Sequence, residues 1–384
     1  MKRVLSGLLA LCFLLTFLPY HAQAAVDMKL SAKSAILMDA ATGTVLYEYN
    51  AHQPLPPASV TKVMTLLLIM EAIDSGHLGW QDQVTASEAA AAKGGSQVYL
   101  KVGESMTVAD MVKSIAVSSA NDCACAMAEK IAGSESAFVE KMNQRAKELG
   151  MQDTHFVNCT GLDDDPAAKD HRTSAHDIAI MSAQLLVHHP DIKQYTTIWM
   201  DTVRDGQFGL SNTNKLVRFY PGATGLKTGF TSQAGYCLSA TAQREGLGLI
   251  AVVMGAATSQ DRFTACKQLL DLGFANYALV KPEVTEGVVS VRMGLSNSVK
   301  AVPAEPIQLL IDKAQSNQVQ IQTVLEEAVT APVSKGQRLG TLTVKVGEQV
   351  LAQIPMVAEN GVERLSFWDL FGIVLRTLAM AKSG

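Results

Sequence analysis

Two residues in the segment PPASVTKVMTLLL could carry out nucleophilic chemistry, because they are a serine and a lysine three positions apart. They are Ser59 and Lys62, at the start of an apolar run with helical periodicity. On a helix, residues i and i+3 share one face, so the amine can reach the hydroxyl. A serine hydroxyl is a weak nucleophile near neutral pH and needs an adjacent base. A lysine can be that base when burial or a nearby positive charge lowers its pKa and leaves it uncharged.

A serine and a lysine at this spacing are a weak signal on their own, since a solvated lysine on an amphipathic helix gives the same pattern. Two further segments favour the chemical interpretation. VSSAND contains Ser119 and Asn121, and GLKTGFT contains Lys227, Thr228 and Gly229. The ordered set Ser-x-x-Lys, Ser-x-Asn and Lys-Thr-Gly is the signature of penicillin-binding proteins and class A β-lactamases.

The elements that must position these motifs can be predicted from periodicity. Residues 34–49 predict a β-hairpin, and the apolar face that follows predicts a helix from Ser59 to about Ile73. Residues 85–200 look mainly helical. GYCLSATA and GLIAVVMGA predict two buried strands, and a helix is expected from Asp261 to about Leu272. Helices between two groups of strands indicate a mixed α/β domain.

The composition changes after residue 281, where short alternating runs separated by Asn, Ser, Gly and Pro predict a small all-β domain over residues 281–358. Residues 359–384 predict an amphipathic helix. This helix either docks on the β domain or lies in a membrane interface, and its aromatic residues favour the membrane. Its apolar side comprises Phe367, Trp368, Phe371, Val374, Leu375 and Leu378.

The N-terminal segment predicts export. Residues 1–24 combine Lys2 and Arg3, an apolar stretch and a small-x-small ending, which is typical of a cleaved signal peptide. The formal net charge of −4 over 384 residues gives no reason to expect a nucleic-acid partner.

The cysteines and histidines predict neither a disulfide framework nor a metal site. The five cysteines beyond the signal peptide have scattered spacings and are interpreted as apolar core residues. His171 and His176 lie in a polar stretch and are interpreted as structural. A Ser-His-Asp hydrolase is disfavoured because no G-x-S-x-G segment is present. The five cysteines are Cys123, Cys125, Cys159, Cys237 and Cys266.

From about Lys33 to the C-terminus the sequence resembles the low-molecular-mass penicillin-binding proteins that act as serine-type D-alanyl-D-alanine carboxypeptidases, the peptidase S11-like group. Besides the three motifs, the segments FVNCTGLDD, HRTSAHDIAIMS and APVSKGQRLGTLTV carry the resemblance. It implies a transpeptidase-like α/β domain over residues 25–280, with an antiparallel sheet flanked by helices. The β-rich domain (281–358) and an amphipathic membrane anchor (359–384) would follow.

The resemblance implies the catalytic roles. Ser59 would attack the carbonyl between two D-alanines, Lys62 would remove its proton, and Ser119 would relay a proton to the departing amine. The oxyanion hole would comprise the backbone N–H groups of Ser59 and Phe230.

The resemblance also implies the substrate-binding roles. Asn121 would hold the substrate amide, while Lys227, on an edge strand, and Thr228 would bind the terminal carboxylate. The charge of Lys227 would also help to keep Lys62 neutral. Gly229 would let the acyl chain lie close to its strand. Arg262 would lie near the carboxylate pocket, although an exposed arginine at a helix start fits the sequence equally well.

The expected partners are pentapeptide stems of peptidoglycan, β-lactam antibiotics as covalent inhibitors, and a membrane surface bound by the terminal helix. No cofactor, metal or nucleic acid is expected, and the protein is expected at the outer face of the cytoplasmic membrane. Three alternatives remain: a β-lactamase, a DD-endopeptidase and a catalytically silent wall-binding protein. The E-x-x-x-N segment of class A β-lactamases is missing between the second and third motifs.

Overall fold

The computed structural model describes residues 28–164, 166–282, 284, 286–372 and 374. The predicted signal peptide and residues Leu375 and Leu378 of the predicted terminal helix lie outside the described residues. Residues 28–30, which precede the compact unit that begins at Ser31, contain no helix or strand.

An antiparallel sheet forms the centre of the first domain, with the strand order β2-β1-β9-β8-β7. The pairs β3–β4 and β5–β6 form separate two-stranded sheets. The strands are β1 (Ser34–Asp39), β2 (Val45–Tyr49), β3 (Gln83–Thr85), β4 (Ser105–Thr107), β5 (Met200–Val203), β6 (Phe208–Ser211), β7 (Ala223–Thr231), β8 (Gly235–Arg244), β9 (Leu247–Ala256) and β10 (Tyr277–Val280). The predicted hairpin and the two predicted buried strands are confirmed as β1–β2 and β8–β9. The third motif lies on β7, at the edge of the sheet, as the resemblance implied.

Helices cover both faces of this sheet. They are α1 (Lys62–Asp74), α2 (Glu88–Ala91), α3 (Val108–Ser118), α4 (Asn121–Ala132), α5 (Glu135–Glu148), α6 (Ala175–His188), α7 (Lys193–Thr196), α8 (Leu216–Phe219) and α9 (Ser259–Asn276). Side chains alternate along β9: Ile250 belongs to the core shared with α1 and α3–α6, whereas Leu249 meets Gly273 of α9. The sheet is therefore a middle layer, with α9 on one face and helices α1 and α3–α6 on the other.

Helix α1 is almost fully buried from Lys62 to Met70, which explains the nearly continuous apolar sequence of this part. Val63, Leu66, Leu67 and Met70 have no exposed surface, and Lys62 at its first turn has none either. A helix with this environment cannot shift without disturbing the core, so its N-terminus is held at a fixed place beside β7.

The prediction that Ser59 lies on this helix is wrong in one detail. Residues Ala58–Thr61 form a 3₁₀ turn, and the α-helix begins at Lys62. Pro56 and Pro57 precede the turn and restrict the backbone there. The spacing argument still holds, because residues i and i+3 lie above one another in a 3₁₀ turn.

The C-terminal domain is all β, as predicted, and its main sheet has the order β14-β16-β17-β12-β11-β15. Its buried side chains, such as Val289, Leu342 and Met356, form a separate core. Strand β10, directly after α9, pairs with β13, so backbone hydrogen bonds link the two domains. The strands are β11 (Gly287–Arg292), β12 (Ser298–Pro303), β13 (Leu309–Asp312), β14 (Val319–Leu325), β15 (Ala328–Thr330), β16 (Arg338–Val346) and β17 (Gln349–Ala358).

The end of the described chain is a short helical segment over residues 367–372. Its aromatic side chains Phe367, Trp368 and Phe371 contact one another and are 72%, 75% and 49% exposed. These rings are therefore largely exposed in the described part of the segment, and the choice between docking on the β domain and lying in a membrane interface stays a prediction. Within the described residues, no helix has the length and apolar character needed to cross a membrane.

Candidate active site

The serine and lysine of the first motif are in contact. Lys62 Nζ lies 3.0 Å from Ser59 Oγ, and it donates a hydrogen bond to the Thr160 carbonyl at 2.7 Å. A neutral amine that donates one N–H to Thr160 keeps a lone pair for the serine hydroxyl. The arrangement has the geometry of a nucleophile with its general base.

Burial supplies the uncharged state that the lysine needs. Lys62 has no exposed surface, and burial lowers its pKa to about 7, although the nearby Cys159 and Asp122 favour the charged form. A contribution from Lys227 to this shift stays a prediction. Near neutral pH a substantial fraction of Lys62 is therefore free base, unlike an exposed lysine.

The loop that carries Thr160 packs closely against the 3₁₀ turn Ala58–Thr61, the catalytic turn. The side-chain oxygen of Asn158 accepts the N–H groups of Thr160 and Gly161 at 3.2 and 2.7 Å. Gly161 has φ +83°, and a Cβ added there would lie 1.8 Å from the Ala58 carbonyl oxygen. Only glycine fits, for reasons of both conformation and space.

The second motif lies where α3 ends and α4 begins. Ser119 adopts a left-handed conformation with φ 65° and is buried, and Asn121 Nδ2 donates to the Gly94 carbonyl at 2.7 Å. Asn121 Oδ1 is buried and has no partner among the described residues, so it is free to accept a hydrogen bond from a ligand. The next residue, Asp122, accepts N–H groups of Val98 and Leu100 and so holds the adjoining loop in place.

The third motif packs directly against the catalytic turn. A Cβ on Gly229 would lie 2.6 Å from the Pro57 carbonyl oxygen and 3.1 Å from the Ser59 nitrogen, so β7 can approach only because residue 229 has no side chain. Thr228 Oγ1 donates to Thr213 Oγ1 at 2.7 Å. The Thr213 N–H in turn donates to the carbonyl of Val117, two residues before Ser119. Thr213 thereby links the second and third motifs.

Lys227 is a second buried amine in this region. Its Nζ donates to the Thr228 carbonyl at 3.0 Å, and its side chain is 1% exposed. Burial, together with the charges of Lys62 and Arg262, lowers its pKa well below the usual value. An anionic ligand would reverse this effect, because a neighbouring negative charge favours the protonated amine.

Arg262 is buried, so the alternative of an exposed arginine is wrong. Its Nη1 donates to the carbonyl oxygens of Gly229 and Cys237 at 2.9 and 3.3 Å, which braces β7 from α9. Its contact with a substrate carboxylate stays a prediction. Phe230 is 53% exposed and stacks on Tyr236, beside the cleft.

An open cavity of about 620 Å³ adjoins these motifs. Thr160 and Gly94, whose carbonyls bind Lys62 and Asn121, both line it, together with Lys93, Glu135 and Asn158. It is large enough for an extended peptide segment. Among the described residues, no group of three or more His, Cys, Asp or Glu side chains is arranged to hold a metal ion.

Sequence reasoning did not identify several residues that shape this site. Thr160 and Gly94 act through backbone carbonyls, which every residue type has, so the sequence does not reveal their role. Thr213 has no motif of its own. His171 was identified only as structural, yet its Nε2 lies 2.8 Å from Thr61 Oγ1, within the catalytic turn. The five cysteines are buried, as predicted.

The chain is similar to known sequences along nearly its whole length. The profile of the D-alanyl-D-alanine carboxypeptidase family matches residues 21–258, and that of the penicillin-binding protein 5 C-terminal domain matches residues 274–364. The D-alanyl-D-alanine carboxypeptidase DacF of Bacillus subtilis (strain 168) is 43% identical over 379 residues, which cover 96% of this chain and 96% of that protein.

Solved structures share the fold. Penicillin-binding protein 5 from Haemophilus influenzae matches with a TM-score of 0.73 and 31% identity, covering 88% of this chain and 99% of that one. Penicillin-binding protein D2 from Listeria monocytogenes, solved in an ampicillin-bound form, matches with a TM-score of 0.59 and 34% identity, covering 65% and 99% of the two chains. The first of these similarities spans both domains.

The pKa of Lys62 predicts how acylation depends on pH. Because the general base must be uncharged, the second-order rate constant for acylation by benzylpenicillin should rise from pH 5 to pH 8 with a midpoint near 7. Stopped-flow measurement on the free enzyme gives this profile. A midpoint near the usual lysine value, or a flat profile, would contradict the assignment of Lys62.

The contact between Gly161 and Ala58 predicts that Gly161→Ala displaces the catalytic turn. We expect acylation to slow by at least about tenfold, because a misplaced reacting group loses much of its rate. Gly150→Ala is the matched control: Gly150 also has a positive φ, +74°, but open space around its Cβ position. The control should lose only about 1–2 kcal/mol of stability. Urea unfolding and fluorescent penicillin labelling measure both effects, and equal labelling rates would refute the prediction.

Proposed function

The chain belongs to the D-alanyl-D-alanine carboxypeptidase family, and on that premise we propose how its residues remove the terminal D-alanine from a peptidoglycan stem. The protein is a serine-type D-alanyl-D-alanine carboxypeptidase and a penicillin-binding protein. The observation that carries the proposal is the 3.0 Å contact between Ser59 Oγ and the buried, weakly basic amine of Lys62.

The first half of the reaction is acylation. Ser59 Oγ attacks the carbonyl carbon between the two D-alanines while its proton passes to Lys62. The backbone N–H groups of Ser59 and Phe230 bind the oxyanion. The C–N bond then breaks, Ser119 transfers the proton held by Lys62 to the leaving amine, and D-alanine departs. Water hydrolyses the resulting ester and regenerates Ser59.

The remaining motif residues hold the substrate. Asn121 Oδ1, which is buried and has no partner in the described part of the chain, accepts an N–H group of the stem peptide. Lys227 and Thr228 bind the terminal carboxylate, whose charge raises the pKa of Lys227 towards its usual value. Gly229 lets β7 pack against the catalytic turn, and Arg262 supports that strand from behind, so that the acyl chain can lie along β7. The adjoining cavity accepts the rest of the stem.

β-Lactam antibiotics follow the same first step. Ser59 opens the lactam ring, but the amine stays attached to the acyl group and the ester persists. A β-lactamase of the same fold would instead turn over the antibiotic. The lifetime of the adduct therefore separates these two functions, and a catalytically silent protein would form no adduct.

We further propose that the protein acts outside the cytoplasm, on the outer face of the membrane. The apolar, small-x-small character of residues 1–24 supports export, and the exposed rings of Phe367, Trp368 and Phe371 support contact with lipid.

Replacement of the nucleophile tests the catalytic proposal. Ser59→Ala should abolish D-alanine release from a pentapeptide and covalent labelling by fluorescent penicillin, since no other group supplies the attacking oxygen. The control is Ser296→Ala, which removes a serine hydroxyl of the C-terminal domain that donates to the Ser298 carbonyl. Mass spectrometry of the products distinguishes release of D-alanine from cleavage of cross-linked stems, the endopeptidase outcome. Labelling of the Ser59→Ala protein would place the nucleophile elsewhere.

Truncation tests the membrane proposal. Protein ending at Glu359 should fail to sediment with anionic phospholipid vesicles, because it lacks the aromatic face, while the protein with residues 360–384 should sediment. Substitution of Phe367, Trp368 and Phe371 by serine in the longer protein is the control for loss of the rings alone. Equal sedimentation of the truncated protein would rule out this anchor.

A further inference from the structure

The residue before the nucleophile has an unusual backbone conformation. Ala58 has φ +48° and is 2% exposed. Residues with a Cβ rarely adopt positive φ, and such a conformation persists only when the surroundings enforce it. The peptide bond between Ala58 and Ser59 is therefore oriented by contacts with other parts of the structure.

A chain of hydrogen bonds ends at the Ala58 carbonyl. Thr61 Oγ1 donates to this oxygen at 2.8 Å, and His171 Nε2 lies 2.8 Å from the same hydroxyl. His171 Nδ1 accepts the backbone N–H of Val157 at 3.0 Å. An N–H group can only donate, so Nδ1 carries no proton, Nε2 does, and Nε2–H donates to Thr61.

His171 is held in this tautomer. Its side chain is 4% exposed, and burial, with smaller effects of His155 and Lys62, lowers its pKa to about 4. The imidazole is thus neutral across the pH range in which Lys62 loses its proton. It acts as a fixed connector between the loop at Val157 and the catalytic turn.

The Ala58 carbonyl and the Ser59 N–H belong to one peptide unit. A peptide unit is planar, and in the trans form its C=O and N–H point in opposite directions. A contact that fixes the carbonyl oxygen of Ala58 therefore fixes the direction of the Ser59 N–H. That N–H makes no hydrogen bond to another described residue, and it lies beside Gly229.

We propose that His171 and Thr61 are positioning residues for the oxyanion hole, because together they orient the peptide unit whose N–H group stabilises the charge that develops on the substrate carbonyl. The inference rests on the proposed function of Ser59. A hydrogen bond accepted by the carbonyl also polarises the N–H of the same unit, which strengthens it as a donor.

The decisive variant is Thr61→Val, which keeps the shape of the side chain and removes the hydroxyl. The acylation rate constant for benzylpenicillin should fall about 10- to 100-fold, less than the 10²–10³ seen when an oxyanion donor is removed outright. Thr61→Ser should recover most of the rate. Thr196→Val, which removes a buried hydroxyl bonded to the Thr224 carbonyl, should leave the rate at the wild-type value.

A double-mutant cycle separates positioning from a general loss of structure. If His171 acts through Thr61, His171→Leu slows acylation on its own but adds nothing in the Thr61→Val background. The ratio of acylation rates for benzylpenicillin and its ring-thiocarbonyl analogue gives a second readout. Sulfur fits an oxyanion hole poorly, so this ratio should shrink in Thr61→Val and stay unchanged in Thr196→Val.

Wild-type rates in Thr61→Val, additive losses in the double variant or an unchanged ratio would each overturn the inference. If the His171→Leu protein does not fold, the acylation rates of Thr61→Val and Thr61→Ser are sufficient to test the inference. Mass spectrometry of the wild-type adduct keeps the two proposals apart. A wild-type protein that is not acylated at Ser59 refutes the proposed function, whereas an acylated wild type with an equally active Thr61→Val refutes only the role of His171 and Thr61.

Discussion

Burial of the Lys62 amine is the interaction on which the rest of the site depends. Water would stabilise the ammonium form, so the base exists near neutral pH only because the core excludes solvent from it. Among the described residues, the amine has hydrogen bonds with Ser59 Oγ and the Thr160 carbonyl. The surrounding elements, namely the enclosed helix α1, the loop at Gly161 and the edge strand β7, all serve to keep this small volume dry and the two reacting atoms adjacent.

Two parts of the chain pack directly on the turn Ala58–Thr61 by close backbone approach, and the second motif is joined to the third by polar contacts. The third motif approaches because Gly229 lacks a side chain, and the loop at Gly161 approaches for the same reason. The second motif is held by polar contacts, through Asp122 and through Thr213. Close backbone approach leaves no tolerance for added atoms, whereas the polar contacts leave donors and acceptors free to face a ligand. The backbone around the catalytic turn is consequently held rigidly by Gly161 and Gly229, whereas polar groups of the second motif can face an entering peptide.

The sequence predicted the elements and the motifs but not the contacts that join them. A continuous apolar run placed the strand around Leu249, and apolar periodicity placed the buried helix after Lys62, because both patterns report burial directly. The exact start of that helix was wrong, since a 3₁₀ turn and an α-helix share the spacing that brings Ser59 to Lys62. The bond of Lys62 to the Thr160 carbonyl and the bond of the Thr213 N–H to the Val117 carbonyl each join positions about a hundred residues apart through backbone groups, which residue types do not reveal. His171 looked structural because residue type alone does not reveal which turn it supports.

The enclosed amine also has a thermodynamic consequence for the whole fold. The folded state lowers the pKa of Lys62 from 10.5 to about 7, so below pH 7 the amine is charged in both the folded and the unfolded chain. Folding then buries a charged amine, which lowers the free energy of unfolding by about 5 kcal/mol. This penalty decreases as the pH rises and disappears above pH 10.5, where the amine is neutral in both states. That amount is comparable to the entire net stability of many domains. The stabilisation from apolar burial around α1 must therefore offset the cost of burying the Lys62 amine in addition to the other costs of folding. The protein gives up this stability to keep a reactive base at the site.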